Sequence, residues 1–173
     1  MTRARWMLGT LGALATIALV PALPASAQSD PALFTEITNS ADGSRWAVHG
    51  DQVIKTISGP ASSPTNSDKW VVSEQSDGSV TIRNQATREC VESQPWFDGA
   101  VYSARCEQRS DRQKWILNWS EDGYVITPKN APDLAVSVQE LGASDSWLTL
   151  KPRSSTPSGS AQDDLASVFR LSA

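Results

Sequence analysis

Residues able to do acid–base or metal chemistry are few in this chain and badly spaced for it. There is one histidine, His49, beside Gly50-Asp51, and that stretch reads as a turn. A Ser-His-Asp triad would have to recruit that histidine, and no G-x-S-x-G elbow exists to present a serine nucleophile. The adjacent carboxylates Glu121-Asp122 and Asp163-Asp164 would point to opposite faces of a strand, so neither pair can act on one substrate atom. Both read as solvated turn charges. No cluster has metal-ligand spacing. The chain is therefore expected not to be an enzyme, and neither a cofactor nor a metal is expected. The chemistry that remains is that of two cysteines, Cys90 and Cys106, and seven tryptophans.

The compartment in which those cysteines work follows from the N-terminus. Arg3 and Arg5 form a basic start, Trp6 to Val20 is apolar and uncharged, and Ala25-Ser26-Ala27 supplies a small-residue cleavage site. Residues 1–27 thus read as a secretory signal peptide cut before Gln28. The apolar run is too short for a convincing membrane anchor, so residues 28–173 are expected to be secreted, without membrane insertion. An oxidising setting favours a bond between Cys90 and Cys106, with a free reactive thiol as the alternative. The whole chain carries a net charge of −4 at pH 7. Because the leader holds two arginines and no acid, the mature part is more acidic still, with 13 Lys and Arg against 19 Asp and Glu. Scattered basic residues on an acidic chain do not suit a phosphate backbone, and nucleic acid is not an expected partner. Asn118-Trp119-Ser120 has the form of a glycosylation sequon, which by itself does not decide its use.

The elements that must position these residues are marked by repetition. W-V-V-S-E-Q-S-D-G-S-V-T-I begins at Trp70 and W-I-L-N-W-S-E-D-G-Y-V-I-T at Trp115, placing Asp77-Gly78 and Asp122-Gly123 at the same offset from their tryptophans. A looser first copy runs from Phe34 to Asp42-Gly43. A fixed period of about 45 residues means one supersecondary unit, repeated, whose copies share a core. Short apolar alternations bounded by turn residues, such as Val80-Thr81-Ile82, Val125-Ile126-Thr127 and Leu148-Thr149-Leu150, predict an all-β barrel or sandwich. The repeats, about 33–72, 73–117 and 118–172, are expected to form one domain over residues 28–173. Aligning the copies by their Asp-Gly and by Ile37-Thr38-Asn39 against Ile82-Arg83-Asn84 puts Trp46, Val91 and Leu134 in equivalent places. Trp46 then precedes Trp70, and Val91 precedes Trp115, by the same 24 residues. The third copy is longer, and its Pro/Ser/Gly-rich stretch 152–164 reads as a surface loop.

Two motifs add to this. Gln113-Lys114-Trp115 has the form Q-x-W, and Arg88-Glu89-Cys90-Val91-Glu92 is similar to G-K-C-L-D. With them the chain resembles the ricin B-chain lectin family over about residues 33–172. The resemblance implies a β-trefoil: three four-stranded repeats closing a six-stranded barrel capped by hairpins, which leaves no sheet edge exposed. It places Trp70, Trp115 and Phe169 in the shared core, and Cys106 where the family has the partner of an intra-repeat disulfide to Cys90. In the other copies Q-x-W degenerates to Asp68-Lys69-Trp70 and Ser167-Val168-Phe169.

Lectins of that family hold a sugar in one shallow pocket per repeat. An Asp accepts hydrogen bonds from vicinal hydroxyls, an aromatic ring stacks on the C–H face, and an Asn or Gln completes the set. The Asp-equivalent positions here are Ala47, Glu92 and Ala135. The resemblance therefore leaves a candidate ligand set only in the second copy: Glu92, Trp96, Phe97, Gln108 and Gln113. Even there, Glu for Asp moves the carboxylate by a methylene, and hydrogen bonds weaken steeply with misplaced geometry. Glu92 as a solvated strand-end charge, with Trp96-Phe97 as a loop anchor, stands beside the sugar-site reading. Trp96-Phe97 and Trp147 fall in turns, and Trp119 could face either way; exposed aromatics anchor protein interfaces. With two pockets dismantled and no catalytic module to target, the expected function is a non-catalytic, protein-binding adaptor. It would be a subunit of a secreted multi-component, bacterial toxin-type assembly, its partner another secreted protein. The alternative is a lectin that binds a glycan through the second copy.

Overall fold

A computed structural model describes residues 34–50, 52–58, 65–94, 96, 98–143, 145–153 and 165–172. The expected signal peptide, Phe97 and residues 154–164 of the long third-copy loop lie outside the described residues.

Among the described residues twelve strands carry the fold. Along β3 (Ile54–Ile57) and β5 (Val80–Asn84) buried residues alternate with more exposed ones, because a strand sends successive side chains to opposite faces. Six strands form a ring: β1 (Glu36–Asn39), β12 (Val168–Ser172), β9 (Gly123–Pro128), β8 (Trp115–Ser120), β5 and β4 (Trp70–Glu74), each antiparallel to the next. The ring closes where Thr35, just ahead of β1, pairs with Trp70 at the head of β4. There Thr35 N donates to Trp70 O at 2.7 Å and Trp70 N to Thr35 O at 2.9 Å. The remaining strands make three hairpins, β2 (Arg45–Val48) with β3, β6 (Cys90–Ser93) with β7 (Val101–Ala104), and β10 (Leu134–Val138) with β11 (Leu148–Pro152). Single bridges Val53–Tyr102, Lys55–Trp147 and Ala100–Thr149 tie these hairpins to one another. The protein is a β-trefoil, four strands to a repeat.

The seam aromatics do the work that repetition implied. Trp46, Trp70, Trp115 and Phe169 are fully buried in one cluster with Ile37, Ile82 and Ile126. Trp70 Nε1 donates to Trp46 O at 3.1 Å, and Trp115 Nε1 donates to Val91 O at 3.0 Å. The equal 24-residue spans thus end in the same hydrogen bond, which satisfies the one polar atom of the Trp70 and Trp115 indoles. The third seam holds Phe169, which has no such donor. It packs edge-on against Trp46 instead, with ring centroids 5.1 Å apart.

One sequence expectation needs correction. Asp77-Gly78 lies in the β4–β5 turn and Asp122-Gly123 spans the end of the β8–β9 turn and the first residue of β9, but Asp42-Gly43 lies between β1 and β2, a connection of a different kind. The two sorts of turn share a local solution, so the dipeptide recurs. Ser44 N donates to Asp42 Oδ1, as Ser79 N does to Asp77 Oδ1. The glycine after each aspartate takes φ of 72° and 78°, where a side chain is disfavoured. The true counterpart between the first and second repeats is an asparagine: Asn39 and Asn84 each accept from the backbone two residues on and donate to the returning chain.

Candidate functional site

The second hairpin gathers the candidate polar set. Its register puts Glu92 directly opposite Tyr102, and the Tyr102 hydroxyl donates to Glu92 Oε1 at 2.6 Å. After β7 the chain is pinned back to β6 by the Cys90–Cys106 disulfide, with Cα atoms 4.9 Å apart. It then turns through a single 3-10 turn, Asp111–Gln113. That return brings Gln113 Nε2 to 2.8 Å from Glu92 Oε2 and Arg112 Nη2 to 3.2 Å from Oε1. Arg112 also donates to the Tyr102 oxygen at 2.8 Å and, through Nε, to Ser93 O at 3.2 Å. Burial, followed by the hydrogen bond to Glu92 and its negative charge, pushes the Tyr102 phenol above its ordinary value.

Glu92 is neither a solvated charge nor an open acceptor. Its side chain is only 13% exposed, and three donors from the chain itself occupy a carboxylate with about four acceptor positions. Gln113 is equally committed. Its amide also donates to Arg105 O at 2.8 Å, and its oxygen accepts from Glu107 N at 2.7 Å. The glutamine of the Q-x-W motif is a buried staple between strand, loop and seam.

Of the other residues expected in this set, Gln108 is exposed and takes no part in the Glu92 contacts. Trp96 is 55% exposed at the tip of the β6–β7 loop. Tyr102 and Arg112 stand in the network instead, and the sequence reading missed both. Tyr102 becomes visible only once the hairpin register is known. Arg112 has a weak signal in that it directly precedes Gln113.

The other copies solve the same position differently. In the first copy the position is the buried Ala47; in the third the register sets Ser137 opposite Thr149 as Glu92 is set opposite Tyr102, so the buried Ser137, and not the Ala135 of the sequence alignment, is the counterpart. In the first copy Asp68, at the Q-x-W glutamine position, forms a buried ion pair with Arg45, Nε to Oδ2 3.3 Å. In the third, every residue of β10 is buried, which leaves no acceptor facing outward there.

Exposed aromatics lie elsewhere. Trp119 is 72% exposed, and its ring meets the cross-strand Tyr124 edge-on at 5.3 Å. This pair sits beside the β8–β9 turn, at the end of those strands away from the cap hairpins. The sequon asparagine Asn118 is engaged within the same hairpin, donating to Thr127 Oγ1 at 3.0 Å. Trp147 is 41% exposed on the third hairpin. His49 pairs with Asp145 across the cap, Nε2 to Oδ1 3.4 Å. Among the described residues no group of three or more His, Cys, Asp and Glu could hold a metal, and no helix is long and apolar enough to cross a membrane.

No protein-family profile and no curated protein matches the chain at the sequence level. Solved structures do. The designed three-fold symmetric protein ThreeFoil superimposes with a TM-score of 0.65 at 14% identity, over 80% of this chain and 96% of that one. The ricin B-like lectin of Macrolepiota procera, solved in complex with lactose, gives 0.63 at 12%, over 83% and 97%. A mosquitocidal holotoxin gives 0.66 at 13%, over 80% of this chain but only 16% of the toxin. At such identities the likeness is one of fold. The β-trefoil is that of the ricin B-like lectins, and it also occurs as a small part of a larger toxin.

Proposed function

We propose that the protein is a secreted, non-catalytic binding protein that docks another secreted protein, as an adaptor subunit of a multi-component, toxin-type assembly. The observation that carries this reading is the occupied state of Glu92. The one repeat position that retains an acid has its carboxylate held by Tyr102, Gln113 and Arg112, and the other two positions are a buried alanine, Ala47, and a buried serine, Ser137. A glycan in the second copy would have to displace Tyr102 or Arg112 and break a part-buried network in which every acceptor of Glu92 facing the site is already used. Large aromatics at the surface support the protein-binding side. Trp119 with Tyr124 offers a rigid apolar platform of the kind that anchors interfaces.

The test is affinity capture from culture supernatant with tagged mature protein. A stoichiometric partner should be recovered, should resist elution by free sugars, and should be lost with Trp119→Ala. Recovery of the bait alone, as a monomer, would overturn the reading.

A further inference from the structure

The β8–β9 hairpin carries two carboxylates at its tip. Trp119 pairs with Tyr124 and Ser120 with Gly123, so Glu121 and Asp122, both exposed, make up the turn between them. A strand rise of about 3.4 Å per residue sets that turn within roughly 7 Å of Trp119 along the strand. We infer that this tip receives a basic segment of the partner protein, with an arginine side chain lying on the Trp119 ring and its guanidinium turned to Glu121 and Asp122. The inference rests on the protein-binding reading and names the chemistry of what docks there.

The backbone of the tip is held, whereas its charges are not. Asp122 O accepts from Ser40 Oγ at 2.9 Å and from Arg170 Nε at 3.2 Å, and Ser120 Oγ donates to Gly123 O at 3.2 Å. Gly123 lets the hairpin close against β12, where a Cβ would stand 2.5 Å from Phe169 O. The carboxylates of Glu121 and Asp122 make no hydrogen bond or ion pair among the described residues. Arg170, the cation tied to this turn, meets it through the backbone carbonyl and not through either carboxylate. A turn fixed before its partner arrives lowers the entropic cost of binding, and its open acceptors suit a charged donor.

The ring supplies the other half of the recognition. Trp119 meets Tyr124 edge-on and keeps most of its indole surface in solvent. An indole face attracts a cation, and a guanidinium can stack there while it makes paired hydrogen bonds to a carboxylate. The protein already uses this attraction at Trp147, where Lys55 Nζ stands 5.0 Å from the ring centroid. Trp119 has no such cation among the described residues and has the acidic turn beside it instead. Overall charge favours the same occupant. Residues 28–173 hold 13 Lys and Arg against 19 Asp and Glu, a balance that steers a basic partner inward and repels an anionic membrane. A second copy docking by two-fold symmetry would bring the acidic turns against each other.

Two measurements on the mature protein test this: NMR titration with hexa-arginine and hexaglutamate peptides, read at the Trp119 indole and the amides of 119–124, and capture of the partner from supernatant. Hexa-arginine should give saturable shifts centred on Trp119, Glu121 and Asp122, reduced by salt and weakened about tenfold when Glu121→Gln is combined with Asp122→Asn. Both substitutions replace exposed side chains and so keep the fold, and Glu121→Asp, which retains the charge, should retain binding. The captured partner should lose about tenfold in affinity for the same double variant. The inference fails if hexaglutamate binds as tightly, if the arginine shifts spread evenly over the surface, if the double variant holds peptide or partner as the parent does, or if vesicles of phosphatidylcholine and phosphatidylserine perturb the Trp119 indole where hexa-arginine does not. A partner lost with Trp119→Ala but held by the double variant overturns the basic-segment inference and leaves the adaptor reading standing. Capture of no partner, with hexa-arginine still docking on Trp119, removes the adaptor reading and upholds the cation-binding tip.

Discussion

Glu92 and Asp145 are both carboxylates on cap hairpins, each near an amide and an aromatic ring, yet the molecule treats them in opposite ways. In the second hairpin the register sets Tyr102 across from Glu92, and a disulfide-held loop returns Gln113 and Arg112 to the same spot. In the third, β10 and β11 run for five residues each, and the loop between them carries Glu140 and Asp145 past the end of the paired strands, beside Trp147. The chain supplies the donors around Glu92, whereas Asp145 keeps its side chain 60% exposed beside His49. A carboxylate read from sequence becomes a brace or an exposed charge according to which of these holds.

The largest effect that would sharpen this contrast is at the seam. Trp115→Ala should destabilise the fold by about 3–5 kcal/mol in urea titrations, because it empties a large buried volume and orphans Val91 O. Trp147→Ala, at the exposed tip, should cost far less, within about 1 kcal/mol. Equal costs would break the distinction between seam and tip.

Next comes the brace itself. Glu92→Ala should cost about 1–3 kcal/mol, since it strips a partner from buried donors. Its more telling readout is spectroscopic. Tyr102 is held above its ordinary value of 10.0 by burial and then by Glu92. The folded state therefore keeps a proton that the unfolded state has lost, so this stabilising contribution is present below about pH 10 and disappears as pH rises through the raised value. Glu92→Gln should move the Tyr102 phenolate absorbance to lower pH. An unmoved titration would mean that Glu92 is not what holds the hydroxyl.

The smallest effect concerns a charge cluster that joins the second and third copies. Lys129 approaches Asp77 at 2.8 Å and Asp111 at 3.5 Å, and Lys114 lies 3.4 Å from Asp77 and 3.2 Å from Asp111. Lys129 first, then Ser79, holds the Asp77 carboxyl well below its ordinary 3.8, and Lys114 lowers Asp111. Depressed carboxylates stabilise the fold above their unfolded value and lose that contribution as pH falls through the folded one. Asp77→Asn should thus lower Tm slightly at neutral pH, and the difference should vanish in acid and shrink with salt. A difference that persists in acid would point instead to the Asp77 turn, where its side chain accepts from Ser79.

Much of the architecture was legible because it depends on periodic burial. Two tryptophans with equal spacing to Trp46 and Val91 end in one repeated hydrogen bond, and the alternation in β3 and β5 is plain in the residues. Asp42-Gly43 misled because turns of different topology share one local chemistry: an aspartate that caps the backbone and a glycine that tolerates positive φ. Around Glu92, the glutamine and the disulfide were readable from their motifs. Tyr102 and Arg112 were not, since a cross-strand neighbour is defined by register, and register is set by the whole hairpin. Trp119 on its strand could not be assigned a face for the same reason.

By itself, the sequence determined that three apolar units had to share one interior and that aromatics would stand at their seams, because the period and burial of strands are local properties that accumulate along the chain. Only the tertiary structure decided which polar residues face one another. It turned Glu92 inward to Tyr102 and Gln113, and it set Trp147 beside Glu140, Asp145 and Lys55. Such meetings join residues from separate strands and hairpins, and their geometry exists only once the barrel has closed.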